Sequence, residues 1–162
     1  MAIDVREALP ADAETIASLS HALGLEEGYP APALQARHLR AEGFGARPRF
    51  RVLVAERDGE PVGYALFFPA YDTDHAARGL YLQDLYVAPE ARRRGAGRAL
   101  MAAVAQACAA EGGCYVFWNA RPENRAGLAF YRAIGARQEP TVTLSLQPDA
   151  LRRLAEAASS EP

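Results

Sequence analysis

Residues 80 to 98 constrain the chain more than any other stretch. Leu80-Tyr81-Leu82-Gln83-Asp84-Leu85-Tyr86-Val87 reads as a short buried strand rich in Leu, Tyr and Val. Pro89 stops it, because proline cannot donate to a sheet ladder. A turn through Gly95-Ala96-Gly97 follows, with four arginines in seven residues: Arg92, Arg93, Arg94 and Arg98. Leu100, Val104, Ala107 and Cys108 then recur at i, i+4, i+7 and i+8, the spacing of an apolar helix face. Strand, basic glycine turn and helix start together make an anion cradle. Backbone N–H groups point outward, the helix dipole favours negative charge, and the glycines admit a phosphate to the backbone. Two other phosphate loops do not fit. A P-loop needs Gly-Lys-Ser/Thr and the chain has no lysine; a dinucleotide fingerprint needs a third small residue where Leu100 stands.

The flanking sequence supplies a layered α/β fold. Ile3 to Glu7 reads as a strand, and Asp12 as the cap of a helix whose Ile16, Leu19 and Leu23 share a face, ending near Gly24. A second, weaker helix is expected over about Ala33 to Glu42. Phe50 to Arg57 and Val62 to Phe68 are strands joined at Asp58-Gly59, a tight-hairpin signal. After the central helix, Cys114 to Asn119 is a strand, and Asn124 opens a helix closed by Gly135. Thr141 to Leu146 alternates as a late strand, and Pro148 to Ala157 is a terminal helix. The order βααβββαβαβα implies a mixed sheet flanked by helices, in one domain over 1–162.

Charge and cysteine content narrow the function. A net charge of −2 argues against nucleic acid as partner. No basic-then-apolar leader is present, and no apolar run approaches the ~20 residues of a membrane span, so the cytoplasm is expected. Cys108 and Cys114 fall on different elements and read as reduced thiols. His21, His38 and His75 lack metal-ligand spacing, and no metal is expected.

Two motifs carry a family resemblance. Arg92-x-x-Gly95-x-Gly97 resembles the acetyl-CoA signature of the GNAT N-acetyltransferase superfamily. Asn124-Arg-Ala-Gly-Leu-Ala-Phe130-Tyr131-Arg-Ala-Ile-Gly135-Ala136 resembles a second family motif, with Gly127 where alanine is usual. Stretches such as Tyr71-Asp72 and Tyr81-Leu82-Gln83-Asp84 look like the diamine (spermidine/spermine, thialysine) branch. The resemblance implies a GNAT-type, mostly antiparallel sheet, a homodimer, and acetyl-CoA as cosubstrate. It also implies that backbone groups of Leu85, Tyr86 and Val87 meet the acetyl and pantetheine groups, with Arg93, Arg94, Gly95, Ala96, Gly97 and Arg98 around the pyrophosphate. Asn124 would bind the pantetheine arm, and Tyr131 would lie beside the thioester sulfur. A tyrosine there has a chemical use, since a departing thiolate needs a proton and a phenol supplies one.

The acceptor side is read from carboxylates. Glu26, Glu27, Asp72, Asp74 and Asp84 are candidates for an acidic rim that receives an amine. The diamine branch carries Glu-Asp where this chain has Gln83-Asp84, and glutamine cannot accept a proton at neutral pH. Asp84 is then a candidate base through a water, although adjacent strand residues are expected to face opposite ways. Three functions remain open on the sequence: acetylation of a small amine, acetylation of a peptide or protein N-terminus, and a non-catalytic acyl-CoA-binding module.

Overall fold

The computed structural model describes residues 2–31 and 33–158. The chain divides into two compact units, Met1–Arg121 and Pro122–Pro162. Five strands make one sheet in the first: β1 Ile3–Glu7, β2 Arg51–Arg57, β3 Glu60–Asp72, β4 Ala77–Val87 and β5 Tyr115–Phe117. β1 to β4 pair antiparallel in chain order, and β5 joins β4 in parallel. This is the mixed, mostly antiparallel sheet the sequence implies. Asp58 and Gly59 close the β2–β3 hairpin with φ of 56° and 84°, the left-handed pair that matches strand twist.

Strand alternation sorts the core into two layers. Leu53, Ala55, Ala65, Phe67, Leu80 and Leu82 face helix α3 (Ala96–Ala110) and meet Leu100, Val104 and Cys108. Val52, Val54, Tyr64, Leu66 and Tyr86 face the other way, onto Ile16 of α1 (Ala13–Glu26) and Leu39. Each large apolar side chain so buried contributes about 1.5–3 kcal/mol. Helices lie against both faces of the sheet.

Two irregularities in β4 shape that site. Its pairing with β5 covers only Gly79–Tyr81 against Tyr115–Phe117. From Leu82 onward, β4 has a strand partner on the β3 side alone among the described residues. The register against β3 also shifts: Leu66 faces Asp84 and Phe67 faces Leu82, leaving Gln83 as a bulge residue with no opposite number.

Local details depart from the sequence reading. Asp12 precedes α1, but its carboxylate accepts the Leu9 N–H at 2.6 Å and pairs with Arg6 at 2.7 Å instead of capping the helix. Burial beside an arginine outcompetes the cap, and the ion pair holds the carboxyl below its ordinary range. The second helix is short, α2 Ala36–His38, and widens to an i→i+5 turn over Leu39–Gly43. β3 and β4 run longer than expected, since Ala70–Asp72 pairs with Ala77–Gly79.

The second unit holds α4 (Arg125–Ala133) and α5 (Pro148–Ala158). Asn124 caps α4 by accepting the Gly127 N–H at 2.8 Å, and Gly135, at φ 95°, terminates it. Thr141–Leu146 forms no strand, which corrects the expectation. Val142 and Leu144 are 83% and 87% exposed, and alternation without a partner strand or a covering face does not hold an extended segment.

Candidate active site

The arginine loop has the geometry of an anion receptor. Pro89–Ala91 forms one tight turn after β4, and Arg93 (φ 60°) and Gly95 (φ 93°) are left-handed. Such residues turn successive N–H groups toward one side. At the start of α3 the Ala99 N–H donates to the Gly95 carbonyl at 2.9 Å, and the first turn of a helix turns its backbone N–H groups outward. Arg93 and Arg94 are exposed beside them. Cations, outward amides and a helix start at one place fit a pyrophosphate. Arg92 is differently employed. Its Nε donates to the Val87 carbonyl at 2.8 Å, its Nη2 to Glu26 at 2.6 Å, and its guanidinium lies 5.3 Å from the Tyr86 ring centre. Glu26 also accepts the Tyr86 hydroxyl at 3.0 Å, so Arg92, Glu26 and Tyr86 fasten the end of α1 to the base of the loop.

On the α1 face of β4 lies a cavity of about 480 Å³. Leu23, Leu34, Phe50, Leu66 and Phe68 give it apolar walls, and Ser20, His21, Glu27, Tyr29, Gln83 and Asp84 bring polar groups to it. The bulge explains why both Gln83 and Asp84 reach it. Leu82 and Leu85 face α3, while Gln83, Asp84 and Tyr86 face α1, so alternation fails for one step. The sequence expectation that neighbours 83 and 84 point apart is therefore corrected. Burial pushes the Asp84 carboxyl above its ordinary pKa, the nearby Glu27 adds to the rise, and a hydrogen bond from the Tyr64 hydroxyl (2.8 Å) opposes it. The cavity rim is tied by Arg121, which donates to the Tyr29 hydroxyl at 2.6 Å and stacks 5.0 Å from that ring.

The sheet and its helices match a known group. The acetyltransferase (GNAT) family pattern matches residues 16–136. The chain belongs to the GNAT acetyltransferase family. It is 38% identical over 130 residues to a thialysine N-epsilon-acetyltransferase of Sus scrofa, covering 72% of this chain and 75% of that one. It is 33% identical over 154 residues to an aminoglycoside N(6')-acetyltransferase type 1 of Stenotrophomonas maltophilia, covering 90% and 95%. An integron cassette protein from the mobile metagenome of V. cholerae shares the fold, with a TM-score of 0.80, 19% identity, and coverage of 96% and 99%. Members of this family use acetyl-CoA as cosubstrate, and the chain is an acetyl-CoA-dependent acetyltransferase.

Within this GNAT enzyme the expected site residues separate into groups. Gln83, Asp84 and Glu27 share the cavity, whereas Glu26 is engaged with Arg92. Asp72 is the last residue of β3, accepts N–H groups of Asp74 and His75, and pairs with the His75 ring at 2.7 Å; it does not line the cavity. Asn124 and Tyr131 belong to the second unit, Asn124 as the α4 cap and Tyr131 with its ring 5.4 Å from that of Phe130. Sequence reasoning missed Tyr64. The available signal was a tyrosine inside an apolar strand, since a buried phenol needs a polar partner. Among the described residues no cluster of His, Cys, Asp and Glu could hold a metal, and no helix is long and apolar enough to cross a membrane.

Proposed function

We propose that the enzyme transfers acetyl from acetyl-CoA to a primary amine of a small molecule by direct attack. The observation that carries this reading is the cavity: two carboxylates, Glu27 and Asp84, face an apolar-walled space on the strand that runs straight into the arginine loop. One polar end on an apolar sleeve suits an amine on an aliphatic arm. The names of the relatives, a thialysine and an aminoglycoside acetyltransferase, support an amine on a small molecule.

Acetyl-CoA supplies the thioester whose carbonyl carbon is attacked. Arg93, Arg94 and Arg98, with the loop N–H groups of Gly95, Ala96 and Gly97, hold the phosphates, and Arg92 braces the loop. Backbone groups of Leu85, Tyr86 and Val87 orient the acetyl and pantetheine groups, and Asn124 serves the pantetheine arm. Asp84 accepts the amine proton, directly or through a water, and Gln83 hydrogen-bonds the amine while Glu27 attracts its charge. The new N–C bond forms as the C–S bond breaks, and Tyr131 donates its proton to the departing sulfur. The whole chain acts as one catalytic domain in a cytoplasmic homodimer. A screen of amines followed by release of free CoA tests the reading. Turnover of a small primary amine is expected; acetylation confined to peptide N-termini, or CoA binding without turnover of any amine, would overturn it.

The arginine loop yields a direct test. Charge-assisted contacts contribute about 1.5–3 kcal/mol each, so Arg93→Ala and Arg98→Ala should each weaken CoA by roughly tenfold or more. Titration calorimetry with CoA reads the effect, and unchanged affinity in both variants rejects the assignment.

Gln83 sets the kind of amine. A lysine-like amine of pKa ~10.4 is neutral in about one molecule in 2,500 at pH 7, a penalty of roughly 4.6 kcal/mol. An amine of pKa near 8 meets only about 1.4 kcal/mol. With one carboxylate instead of two at positions 83 and 84, the enzyme should favour lower-pKa amines and turn over spermidine poorly at pH 7. Gln83→Glu should raise spermidine turnover. Steady-state kcat/KM across amines of graded pKa decides, and efficient spermidine acetylation by the natural sequence would reverse the preference.

A further inference from the structure

The catalytic reading leaves one buried phenol without a role. Tyr64 stands on β3 with no exposed surface, and its hydroxyl donates to Asp84 Oδ2 at 2.8 Å. The two are not cross-strand partners. Tyr64 faces Tyr86, and Asp84 faces Leu66, so the phenol reaches diagonally along the sheet to a carboxylate turned its way by the Gln83 bulge. Ser20, from α1, acts on the same phenol and favours negative charge on its oxygen. Ser20 and Asp84 both line the cavity, whereas Tyr64 does not; it is packed in the layer beneath, with Val54 and Leu66. A phenylalanine would fill that core volume equally well, so packing alone does not account for the hydroxyl.

We propose that Tyr64 is a positioning residue for acetyl transfer: its buried hydroxyl fixes Asp84 Oδ2 and thereby presents Asp84 Oδ1 to the amine in the cavity. This rests on the reading of the cavity as the amine site. The groups facing Asp84 are Tyr64 from β3, Glu27 and His21 from the α1 side, and Gln83 from its own strand. Burial and the Glu27 charge oppose ionisation of Asp84, and the phenol is the hydrogen-bond donor that favours it. Tyr64 itself neither gains nor loses a proton. Its effect is to keep Asp84 ionised at a pH where the amine also loses its proton, and to hold the carboxylate in one orientation. Ser20, by favouring negative charge on the phenol oxygen, makes its O–H the stronger donor to Asp84.

The test is the pH dependence of kcat/KM for the best amine found in the screen, measured on full-length Tyr64→Phe, Ser20→Ala and Asp84→Asn. In Tyr64→Phe the acid limb should move up by about one to two pH units, with kcat/KM at a pH on that limb falling about tenfold or more on the same arithmetic and KM for acetyl-CoA unchanged. A merely structural role would not move the limb. Ser20→Ala should shift it in the same direction by less, and decides the matter if Tyr64→Phe does not fold. Asp84→Asn should abolish the limb together with most of the activity. If Asp84→Asn is inactive but the limb stays in place in the folded Tyr64→Phe, or in Ser20→Ala where Tyr64→Phe does not fold, the role given to Tyr64 is wrong. Full activity in Asp84→Asn would instead remove the amine-site reading beneath it.

Discussion

Tyr131→Phe should lower kcat by about 10²–10⁴-fold, the usual worth of a positioned proton donor. CoA affinity and thermal stability should stay close to those of the natural sequence. The substitution removes one oxygen and keeps the ring beside Phe130 on α4, so packing survives. The loss should be confined to kcat, because the proton is needed only as the C–S bond breaks. Thioesters with better leaving groups need that proton less, so an activated acetyl thioester should recover part of the lost rate. A phenylalanine variant working at full speed with acetyl-CoA would show that the thiolate leaves unaided.

Asp84→Asn should cost a comparable factor, about 10²–10⁴ in kcat/KM, and its effect on stability should run the other way. Burial raises the Asp84 pKa in the folded chain. A carboxyl with a raised folded pKa binds its proton more tightly when folded. Its contribution to stability is therefore present below the unfolded pKa and is lost as pH rises through the folded value. Above the folded value the ionised, buried carboxylate is a burden, so the neutral asparagine should unfold at the same or a higher temperature as pH rises. Thermal melts from pH 4 upward distinguish the cases: the advantage of asparagine should be smallest at pH 4 and grow as pH rises. An inactive variant that gains no stability as pH rises would mark Asp84 as a structural residue.

What the sequence made legible was periodic or local. The Leu100, Val104, Cys108 stripe, the Asp58-Gly59 hairpin and the strand–arginine turn–helix unit all follow from spacing that the fold obeys. The misreadings share a cause: each depended on a partner that spacing along the chain does not announce. Asp12 is a capping residue by type, but Arg6 and Leu9 claim its carboxylate. Thr141–Leu146 has strand alternation but no ladder to join among the described residues. The bulge at Gln83 is set by the register of β4 on β3, which no property of Gln83 announces. That single inserted residue brings 83 and 84 to the same face, and the candidate base depends on it. The phenol of Tyr64 was hidden for the same reason, since its partner lies twenty positions away and on a diagonal.

The place where β4 parts from β5 has a further consequence. Beyond Tyr81 the strand has ladder partners on one side only among the described residues, so its other side is chemically a sheet border, although it stands between two strands in the sheet order. Borders of this kind recruit other extended chains and are a common seed of aggregation. Here the border is short. Pro89 ends it, and the bulge at Gln83 breaks its regular spacing. A second protein strand therefore finds little to zip onto. A slender molecule built from consecutive amides, as the pantetheine arm is, would be read as a missing strand, added by the same hydrogen bonds that join a peptide to a sheet.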